Sequence, residues 1–294
     1  MINKIHCGDS FELIQKLDSN SIDLVITDPP YFIDGLGDEW DDNKISTSQQ
    51  KAGVIGGLPV GMKFDPKQGL RFQEFMGKMS CEVLRVLKPG GFFICFSQAR
   101  LYHRLAVAAE DAGFEIRDML GWCYEGQAKA FSMDHFVRKM KISDDEKEWL
   151  ISELSGRKTP QLKPQIEPMI LGQKPKQGTF IENWVEFKTG LIDTTASIDG
   201  KFPGNLMYVK KPSKEEKGEF NDHVSVKPVG ILEHLINIFS VEGQVVLDPF
   251  IGSGSTAIAA INTNRKFIGF DKSEHFVNIS NKRVEHATSE RHFD

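Results

Sequence analysis

A run of apolar residues ends at two consecutive prolines, and this constrains the fold more than any other feature of the chain. Residues 22–26 are rich in β-branched side chains and have the length of a buried strand. Pro29 and Pro30 cannot continue a sheet ladder, because proline has no backbone N–H to donate. The sequence therefore predicts a strand that stops at Asp28 and holds Asp28 and Tyr31 at its carboxyl end.

These groups suit one kind of ligand. The carboxylate of Asp28 and the carbonyl of Pro29 are hydrogen-bond acceptors, and the ring of Tyr31 is a stacking surface. Together they fit an amino group on a flat, conjugated base, which has two N–H bonds to donate and a face to stack. The alternative is a strand-ending turn in which the acid and the tyrosine occur by chance.

A second strand-turn-helix pattern lies near the carboxyl terminus. Residues 245–248 predict a strand, and Gly252 and Gly254 let the backbone turn tightly and let a ligand approach it. Ser255 or Thr256 is predicted to cap the following helix. No Gly-Lys-Ser/Thr follows, which excludes the phosphate loop of nucleotide hydrolases. An ordinary corner is the alternative, because a Gly-x-Gly alone is a weak signal.

An acidic residue ends the strand after this helix. The spacing of a β-α-β unit places Asp271 at the end of the predicted strand 266–270. An acid at this point of such a unit holds ribose hydroxyls. The alternatives are a solvated acid and a helix cap formed with Ser273.

Strands and helices alternate at both ends of the chain. The predicted strands are 4–7, 22–27, 91–96, 114–124, 244–248 and 266–270, and the predicted helices are 70–87, 99–112, 229–239, 255–263 and 273–287. Asp9 is predicted to cap a further short helix. The pattern is typical of an α/β fold with a doubly wound, mostly parallel sheet, in which ligands bind at the carboxyl ends of the strands.

The order of these motifs resembles one known family. A D-P-P-Y segment followed much later by D-P-F-x-G-S-G-S-T is similar to the amino-methyltransferases of DNA, in the circularly permuted order called the beta class. Cys7-Gly8-Asp9 and residues 83–91 resemble further family segments. Residues 223–228 resemble its H-P-T-Q-K-P, with matches at His223, Lys227 and Pro228 and departures at Val224, Ser225 and Val226. The resemblance covers residues 2–124 and 220–287 and implies a permuted, Rossmann-like methyltransferase fold.

The resemblance also implies the ligands and the residues that bind them. It implies S-adenosylmethionine as cofactor, without a metal, and double-stranded DNA as partner, and it leaves a homodimer and a cognate restriction enzyme open. The implied catalytic residues are Asp28, Pro29, Pro30 and Tyr31. The implied cofactor-binding residues are Cys7, Asp9, Asp28, His223, Ser225, Lys227, Asp248, Pro249, Phe250, Gly252, Ser253, Gly254, Ser255, Thr256 and Asp271.

Two stretches interrupt the alternation. We expect residues 1–124 and 220–294 to form the catalytic domain and residues 125–219 to be an inserted target-recognition region, in which aromatic and basic residues are interleaved as phosphate contacts and base readout require. The residues expected to contact DNA are Arg138, Lys139, Lys141, Arg157, Lys158 and Lys163. A solvated charged face is the alternative, because acidic residues are interspersed. We expect residues 32–66 to be a flexible loop that closes over the target base or DNA, with a disordered insertion as the alternative.

The overall charge is unusual for a protein that binds nucleic acid. The formal net charge is -5, and DNA affinity depends on contacts from lysine and arginine to phosphates, so the positive charge must be local. The four cysteines include no C-x-x-C pair, which argues against a zinc site or a disulfide framework. No apolar leader or run of 18 apolar residues is found, so we expect a cytoplasmic protein of prokaryotic or phage type.

The expected activity is site-specific adenine-N6 methylation of DNA. The target amine is buried in the duplex, so the base must be flipped out. Hydrogen bonds to Asp28 and the Pro29 carbonyl would then free the nitrogen lone pair for direct in-line attack on the methyl group. The nearest alternative is cytosine N4, whose family members usually carry Ser in place of Asp28. Methylation of a protein glutamine or of RNA, and a DNA-binding pseudoenzyme, are the remaining alternatives.

Overall fold

Eight strands form one sheet at the centre of the protein. The computed structural model describes residues 1–31, 66–128, 130–196, 200–218, 221, 223 and 225–290. The strands are β1 Lys4–Cys7, β2 Ile22–Thr27, β3 Leu87–Phe96, β4 Glu115–Cys123, β5 Ile166–Gln173, β6 Leu206–Tyr208, β7 Val245–Asp248 and β8 Lys266–Asp271. Their order across the sheet is β1-β8-β7-β2-β3-β5-β4-β6.

Helices cover both faces of this sheet. They are α1 Ser10–Ile14, α2 Pro66–Val86, α3 Tyr102–Asp111, α4 Asp134–Arg138, α5 Asp144–Glu153, α6 Phe180–Phe187, α7 Lys214–Lys217, α8 Val229–Phe239, α9 Ser255–Asn262 and α10 Glu274–Glu290. Helices α1, α2 and α3 contribute to the core on one face, and α8 and α9 to the core on the other. Among the described residues, no helix is long and apolar enough to cross a membrane.

The position of the central strand β2 explains why its sequence is mostly apolar. Every residue of β2 is buried, because helices pack on both of its faces. Leu24 and Ile26 point into one core and Val25 into the other. A strand covered on both sides reads as a continuous apolar run and not as an alternating one. Fully burying each such side chain stabilises the fold by about 1.5–3 kcal/mol.

The topology brings the carboxyl ends of seven strands to one edge of the sheet. Strands β1, β8, β7, β2 and β3 are parallel to one another, and β4 is parallel to β6. Strand β5 alone runs antiparallel to its two neighbours, β3 and β4. The predicted fold class, a doubly wound and mostly parallel α/β sheet, is therefore confirmed. We call the edge that contains Asp28 the carboxyl edge.

Two strands of the central sheet lie within the predicted insert, whose domain boundaries stay a prediction. Strands β5 and β6 lie within residues 125–219 but belong to the central sheet, since β5 pairs with β3 and β4, and β6 pairs with β4. The insert is thereby divided into two separate pieces. Residues 125–165 leave β4 and enter β5 at the carboxyl edge, whereas residues 174–205 connect the strands at the opposite edge.

Some predictions fall on residues that the structure does not describe. The loop predicted at 32–66 lies outside the described residues, except for Pro66, which begins α2. Val224 also lies outside them.

Candidate active site

Asp28 lies at the carboxyl edge, directly after the central strand β2. Strand β2 has β7 on one side and β3 on the other, so Asp28 lies between the ends of these two strands. Asp248 ends β7 and Asp271 ends β8. The two halves of the predicted site are far apart in the chain, and the topology brings them together at this edge, where open parallel sheets bind their ligands.

The Asp28 carboxylate is held by three side chains. The Tyr31 hydroxyl donates to its Oδ1. The ammonium group of Lys227 forms an ion pair with its Oδ2, and the Ser225 hydroxyl donates to the same oxygen at 3.3 Å. Lys227 also pairs with Glu167 Oε1 at 2.8 Å. One buried ammonium therefore joins two carboxylates, one from the catalytic motif and one from β5.

The charges of this cluster follow from their contacts. Burial by itself would lower the pKa of Lys227, but Asp28 and Glu167 outweigh it and raise the pKa above its ordinary value, so Lys227 stays an ammonium. Burial raises the pKa of Glu167 against the opposing effect of Lys227. Burial, and then the Asp28 charge, raise the pKa of Tyr31 well above its usual range, so its hydroxyl remains a donor.

The two acceptors of the catalytic motif, the Asp28 carboxylate and the Pro29 carbonyl, differ in the number of hydrogen bonds that they accept within the protein. Asp28 accepts the bonds just described, whereas the carbonyl of Pro29 accepts none from the described residues. The Tyr31 ring is buried against Phe72, with ring centroids 5.9 Å apart. The Tyr31 carbonyl accepts from Gln68 at 2.9 Å. The stacking role of Tyr31 stays a prediction, and in this arrangement the hydroxyl contacts Asp28 while the ring faces Phe72.

The glycine loop lies against His223. Gly252 has φ +48°, and a Cβ at this position would lie 2.8 Å from His223 Nε2. The imidazole is held by the ring of Phe276, 4.7 Å away, and its Nδ1 accepts from the Ser225 amide at 3.2 Å. The loop thus contacts His223, which in turn contacts Ser225. Their joint role in cofactor binding stays a prediction.

The predicted helix cap is wrong. Gly254, with φ +83°, occupies the N-cap of α9, and no side chain caps the helix. Thr256 donates instead to Asp248 at 2.6 Å, and Ser255 accepts from Arg283 at 3.2 Å. These hydroxyls are turned into the protein because Gly254 already makes the sharp turn into the helix.

Asp248 is buried and accepts three hydrogen bonds. Its carboxylate accepts from the Thr27 hydroxyl at 2.6 Å, the Phe250 amide at 3.0 Å and the Thr256 hydroxyl at 2.6 Å. Burial raises its pKa to about 6, although these bonds oppose the rise. Asp248 therefore joins β7 to β2 and α9, and its role in cofactor binding stays a prediction.

Asp271 holds the glycine loop and keeps acceptor capacity. Its Oδ2 accepts from the Gly252 amide at 3.1 Å and its Oδ1 from the Ser273 amide at 2.8 Å. Burial raises the pKa of its carboxyl group. Each carboxylate oxygen accepts one hydrogen bond, from one of these two amides, and has a second lone pair. The carboxylate can therefore also accept hydrogen bonds from hydroxyl groups of a ligand.

The remaining predicted cofactor residues surround the same edge. Cys7 and Asp9 are exposed at the end of β1, and Asp9 caps α1 by accepting from the Phe11 amide at 2.8 Å. The carbonyl of Pro249 accepts from Ser10 at 2.5 Å. The Phe250 ring lies 5.7 Å from that of Phe75 on α2. Ser253 is buried.

Comparison with known proteins decides the family. The profile of the DNA methylase family, N6_N4_Mtase, matches residues 22–282. The type II methyltransferase M.HindIII of Haemophilus influenzae is 33% identical, over 97% of this chain and 96% of its own length. The chain belongs to the N6/N4 DNA methylase family. The type II methyltransferase M.HpaI of Haemophilus parainfluenzae is 24% identical to this methylase over 97% of the chain and 75% of its own length.

Solved structures share the fold of the methylase. The PvuII DNA methyltransferase, which is cytosine-N4-specific, has a TM-score of 0.62 and 18% identity, over 97% of this chain and 89% of its own. The complex of M1.HpyAVI with S-adenosylmethionine has a TM-score of 0.54 and 17% identity, over 96% of this chain and 98% of its own. At such low identity these likenesses concern the fold alone.

Two residues of the methylase site were missed by the sequence analysis. Glu167 lies at the start of β5, in the region predicted to be an insert. Arg283 lies on α10, is buried, and donates to the Ser253 carbonyl at 2.6 Å and to the Glu216 carbonyl at 3.0 Å. It thereby joins the glycine loop to the α7 segment. Neither residue belongs to a motif, and only the three-dimensional contacts identify them.

The basic residues predicted to contact DNA lie in the piece of the insert at the carboxyl edge. Arg138, Lys139, Lys141, Arg157, Lys158 and Lys163 are all exposed. Arg138 pairs with Glu148 at 3.3 Å and Lys163 with Glu125 at 3.4 Å, so part of the positive charge is balanced. The other four form no ion pair with the described residues.

A pH-dependent part of the stability of the methylase is expected to disappear in Asp248→Asn. The pKa of Asp248 is about 6 in the folded protein, against about 3.9 for an unfolded chain. The folded protein thus binds the Asp248 proton more tightly than the unfolded chain does, and this difference stabilises the fold when the carboxyl group is protonated. The stabilisation is fully present below about pH 4 and is lost as the pH rises to about 6, by about 3 kcal/mol.

Urea unfolding of both proteins from pH 4 to 7 measures this effect. Wild type should lose stability relative to Asp248→Asn as the pH rises over that range. A difference between the two proteins that does not change with pH would contradict the assignment.

Proposed function

We propose that this methylase is a site-specific DNA adenine-N6 methyltransferase that uses S-adenosylmethionine. The observation that carries the proposal is the position of Asp28, which directly follows the central strand and is held by the buried ammonium of Lys227. The carboxylate at this point and the adjacent Pro29 carbonyl provide two acceptors for the two N–H bonds of an exocyclic amine. The natural setting is the cytoplasm of a prokaryotic cell, where DNA is the substrate.

The residues of the carboxyl edge fit the proposed cofactor. The Asp271 carboxylate has acceptor capacity for ribose hydroxyls, and Gly252 leaves the backbone open where a Cβ would meet His223. S-adenosylmethionine, when bound, supplies a methyl group that the sulfonium has already activated. Asp28 contributes negative charge where positive charge develops on the target nitrogen, which favours the transition state of transfer over the bound ground state.

The protein's own part in the reaction is alignment and electrostatics. The amine of a base is a poor nucleophile because its lone pair is conjugated into the ring. Hydrogen bonds from its N–H groups to Asp28 Oδ1 and the Pro29 carbonyl draw the nitrogen toward tetrahedral geometry and free the lone pair. Lys227 and Ser225 hold Asp28 Oδ2, so they set the orientation of the carboxylate. Orientation of this kind accounts for a large share of the acceleration in such reactions.

The aspartate favours adenine over cytosine. Cytosine-N4 enzymes of the resembled family usually carry serine at this position, and a hydroxyl is a weaker acceptor than a carboxylate. Cytosine N4 is the second candidate target, because the PvuII enzyme, which shares the fold, is cytosine-N4-specific. A homodimer and a cognate restriction enzyme stay predictions.

Transfer of a labelled methyl group tests the proposal. Purified protein, methyl-labelled S-adenosylmethionine and unmethylated double-stranded DNA are incubated, and the DNA is digested to nucleosides. We expect the label in N6-methyldeoxyadenosine. Label in N4-methyldeoxycytidine would select the second candidate, and label in protein or RNA but not in DNA would reject both.

Asp271→Ala is expected to weaken cofactor binding with little effect on DNA affinity. The variant loses charge-assisted bonds to the ribose and the bond that holds the Gly252 amide. Such a loss corresponds to roughly ten- to a hundredfold in the dissociation constant. Calorimetry with S-adenosylmethionine measures it, with the exposed neighbour Lys272→Ala as control. An unchanged dissociation constant would make Asp271 a structural residue only.

The DNA contacts are proposed to come from the exposed basic residues at the carboxyl edge. Arg157 and Lys158 follow α5 and form no ion pair with described residues. In contrast, Lys174 lies at the opposite edge, where it donates to the Leu87 carbonyl and to Asn20 at 2.7 Å each. On this proposal, basic residues at the carboxyl edge face the DNA, whereas Lys174 lies away from it.

The double variant Arg157→Ala, Lys158→Ala is expected to bind DNA more weakly and with less dependence on salt. Each lost phosphate contact should reduce the slope of log affinity against log salt by about 0.9. The matched control is Lys4→Ala, Lys266→Ala, which removes two exposed charges at the opposite edge. Equal slopes for the two double variants would defeat the assignment of this surface.

A further inference from the structure

We propose that Glu167 is a positioning residue for methyl transfer, which acts on Asp28 through Lys227. Glu167 is the second residue of β5, next to Trp122 of β4 in register. It lies 2.8 Å from the ammonium that also binds Asp28. The inference rests on the proposed methyl transfer to a DNA base and holds for either base.

The contacts indicate what Glu167 does. Lys227 is almost buried, with 9% of its side chain exposed, and its ammonium is divided between two carboxylates and the Ser225 hydroxyl, 3.2 Å away. Without Glu167, the ammonium would pair with Asp28 alone. It would then compete more strongly with the target amine for the lone pairs of Asp28. By sharing Lys227, Glu167 keeps Asp28 available as an acceptor.

The charge balance leads to the same conclusion. Two carboxylates and one ammonium carry a net charge of −1 when all three are ionised. The methyl donor is a cation, and positive charge develops on the target nitrogen as the methyl group is transferred. A net negative cluster next to the target nitrogen stabilises the charge that develops there, whereas a cluster without the Glu167 charge is neutral. The lysine holds Asp28 in place, and Glu167 restores the negative charge that the lysine cancels.

The environment of Glu167 makes the effect depend on pH. The titratable and charged groups that face it are Lys227, Asp28, Lys211, Tyr31 and Tyr124. The Lys211 ammonium lies over the Tyr124 ring, 4.3 Å from its centroid. Burial raises the pKa of Glu167, so its charge is lost at a higher pH than that of an exposed glutamate. Methyl transfer should therefore decline as the pH falls through this raised pKa.

The test is a pH profile of single-turnover methyl transfer to DNA with wild type and Glu167→Gln. We expect the variant to transfer methyl about tenfold more slowly at pH 8, to lack the acidic decline of wild type, and to bind S-adenosylmethionine within about threefold of wild type. The matched control is Glu125→Gln. It removes an exposed carboxylate from the same edge, which pairs with Lys163 and not with Lys227, and should behave as wild type.

A double-mutant cycle separates this role from a structural one. If Glu167 acts through Lys227, then Lys227→Gln together with Glu167→Gln should be no slower than Lys227→Gln alone. Additive losses in rate would overturn the proposal, as would a Glu167→Gln rate within twofold of wild type at every pH. Glu167→Asp keeps the charge and should recover part of the rate. If Glu167→Gln does not fold, an acidic decline in Glu167→Asp that is unchanged from wild type would also overturn the proposal.

The outcomes also separate this inference from the proposed function. Label is counted in any base of DNA, so transfer to cytosine leaves the inference intact and rejects only the choice of adenine. A wild-type protein that transfers no label to DNA would overturn the proposed function, and the inference with it.

Discussion

Asp28→Ala is expected to abolish methyl transfer while cofactor binding is largely kept. The variant removes one of the two acceptors that prepare the amine for attack, and losses of this kind reduce rates by about a thousandfold. The fold should survive, because the buried Lys227 ammonium keeps Glu167 as a partner 2.8 Å away. Leaving a buried charge without any partner would otherwise be strongly destabilising.

Single-turnover transfer and calorimetry measure the two parts of this prediction. The control is Asp18→Ala, which removes an exposed acid from the turn before β2 and should leave both quantities unchanged. A rate for Asp28→Ala within tenfold of wild type would mean that another group accepts the hydrogens of the amine.

Gly252→Val is expected to lose cofactor binding almost completely. The residue has a positive φ, and its Cβ would lie 2.8 Å from His223 Nε2, so the valine is strained and also forces the imidazole to move. Displacing His223 disturbs the segment that leads to Ser225 and Lys227. We expect the affinity for S-adenosylmethionine to fall by at least about a hundredfold, the equivalent of about 2.7 kcal/mol.

The chain offers a control that separates backbone strain from the clash. Gly243 also has a positive φ, of +80°, but a Cβ there meets nothing within 4 Å. Gly243→Val should therefore cost about 1–2 kcal/mol of stability and leave the cofactor dissociation constant unchanged. If Gly252→Val binds the cofactor as Gly243→Val does, the glycine loop is not part of the site.

Local signals were enough to predict the elements that carry the motifs. The limits of β2 and α8 agree with the sequence prediction at both ends. For β2 the reason is that the two prolines that follow it end the ladder. The carboxyl-edge position of Asp28, Asp248 and Asp271 then follows from the parallel topology.

Features that depend on distant contacts could not be predicted in this way. Strand β5 pairs with β3 and β4 across long stretches of chain, and it lies between polar segments that indicate an insert. For this reason Glu167 was missed. The cap of α9 was mispredicted because Gly254 takes a left-handed conformation, which frees Thr256 to bond with a buried aspartate. Arg283 was missed because its partners, Ser253 and Glu216, lie 30 and 67 residues before it in the sequence. No helical or strand periodicity connects residues so far apart.

Sequencing of modified bases tests the central claim most directly. DNA is taken from a host without adenine or cytosine methylation that expresses either the wild-type chain or Asp28→Ala. The account predicts N6-methyladenine at one recurring short site in the wild-type sample, and no modification with Asp28→Ala. N4-methylcytosine at such a site, or DNA without any modified base in the wild-type sample, would contradict it.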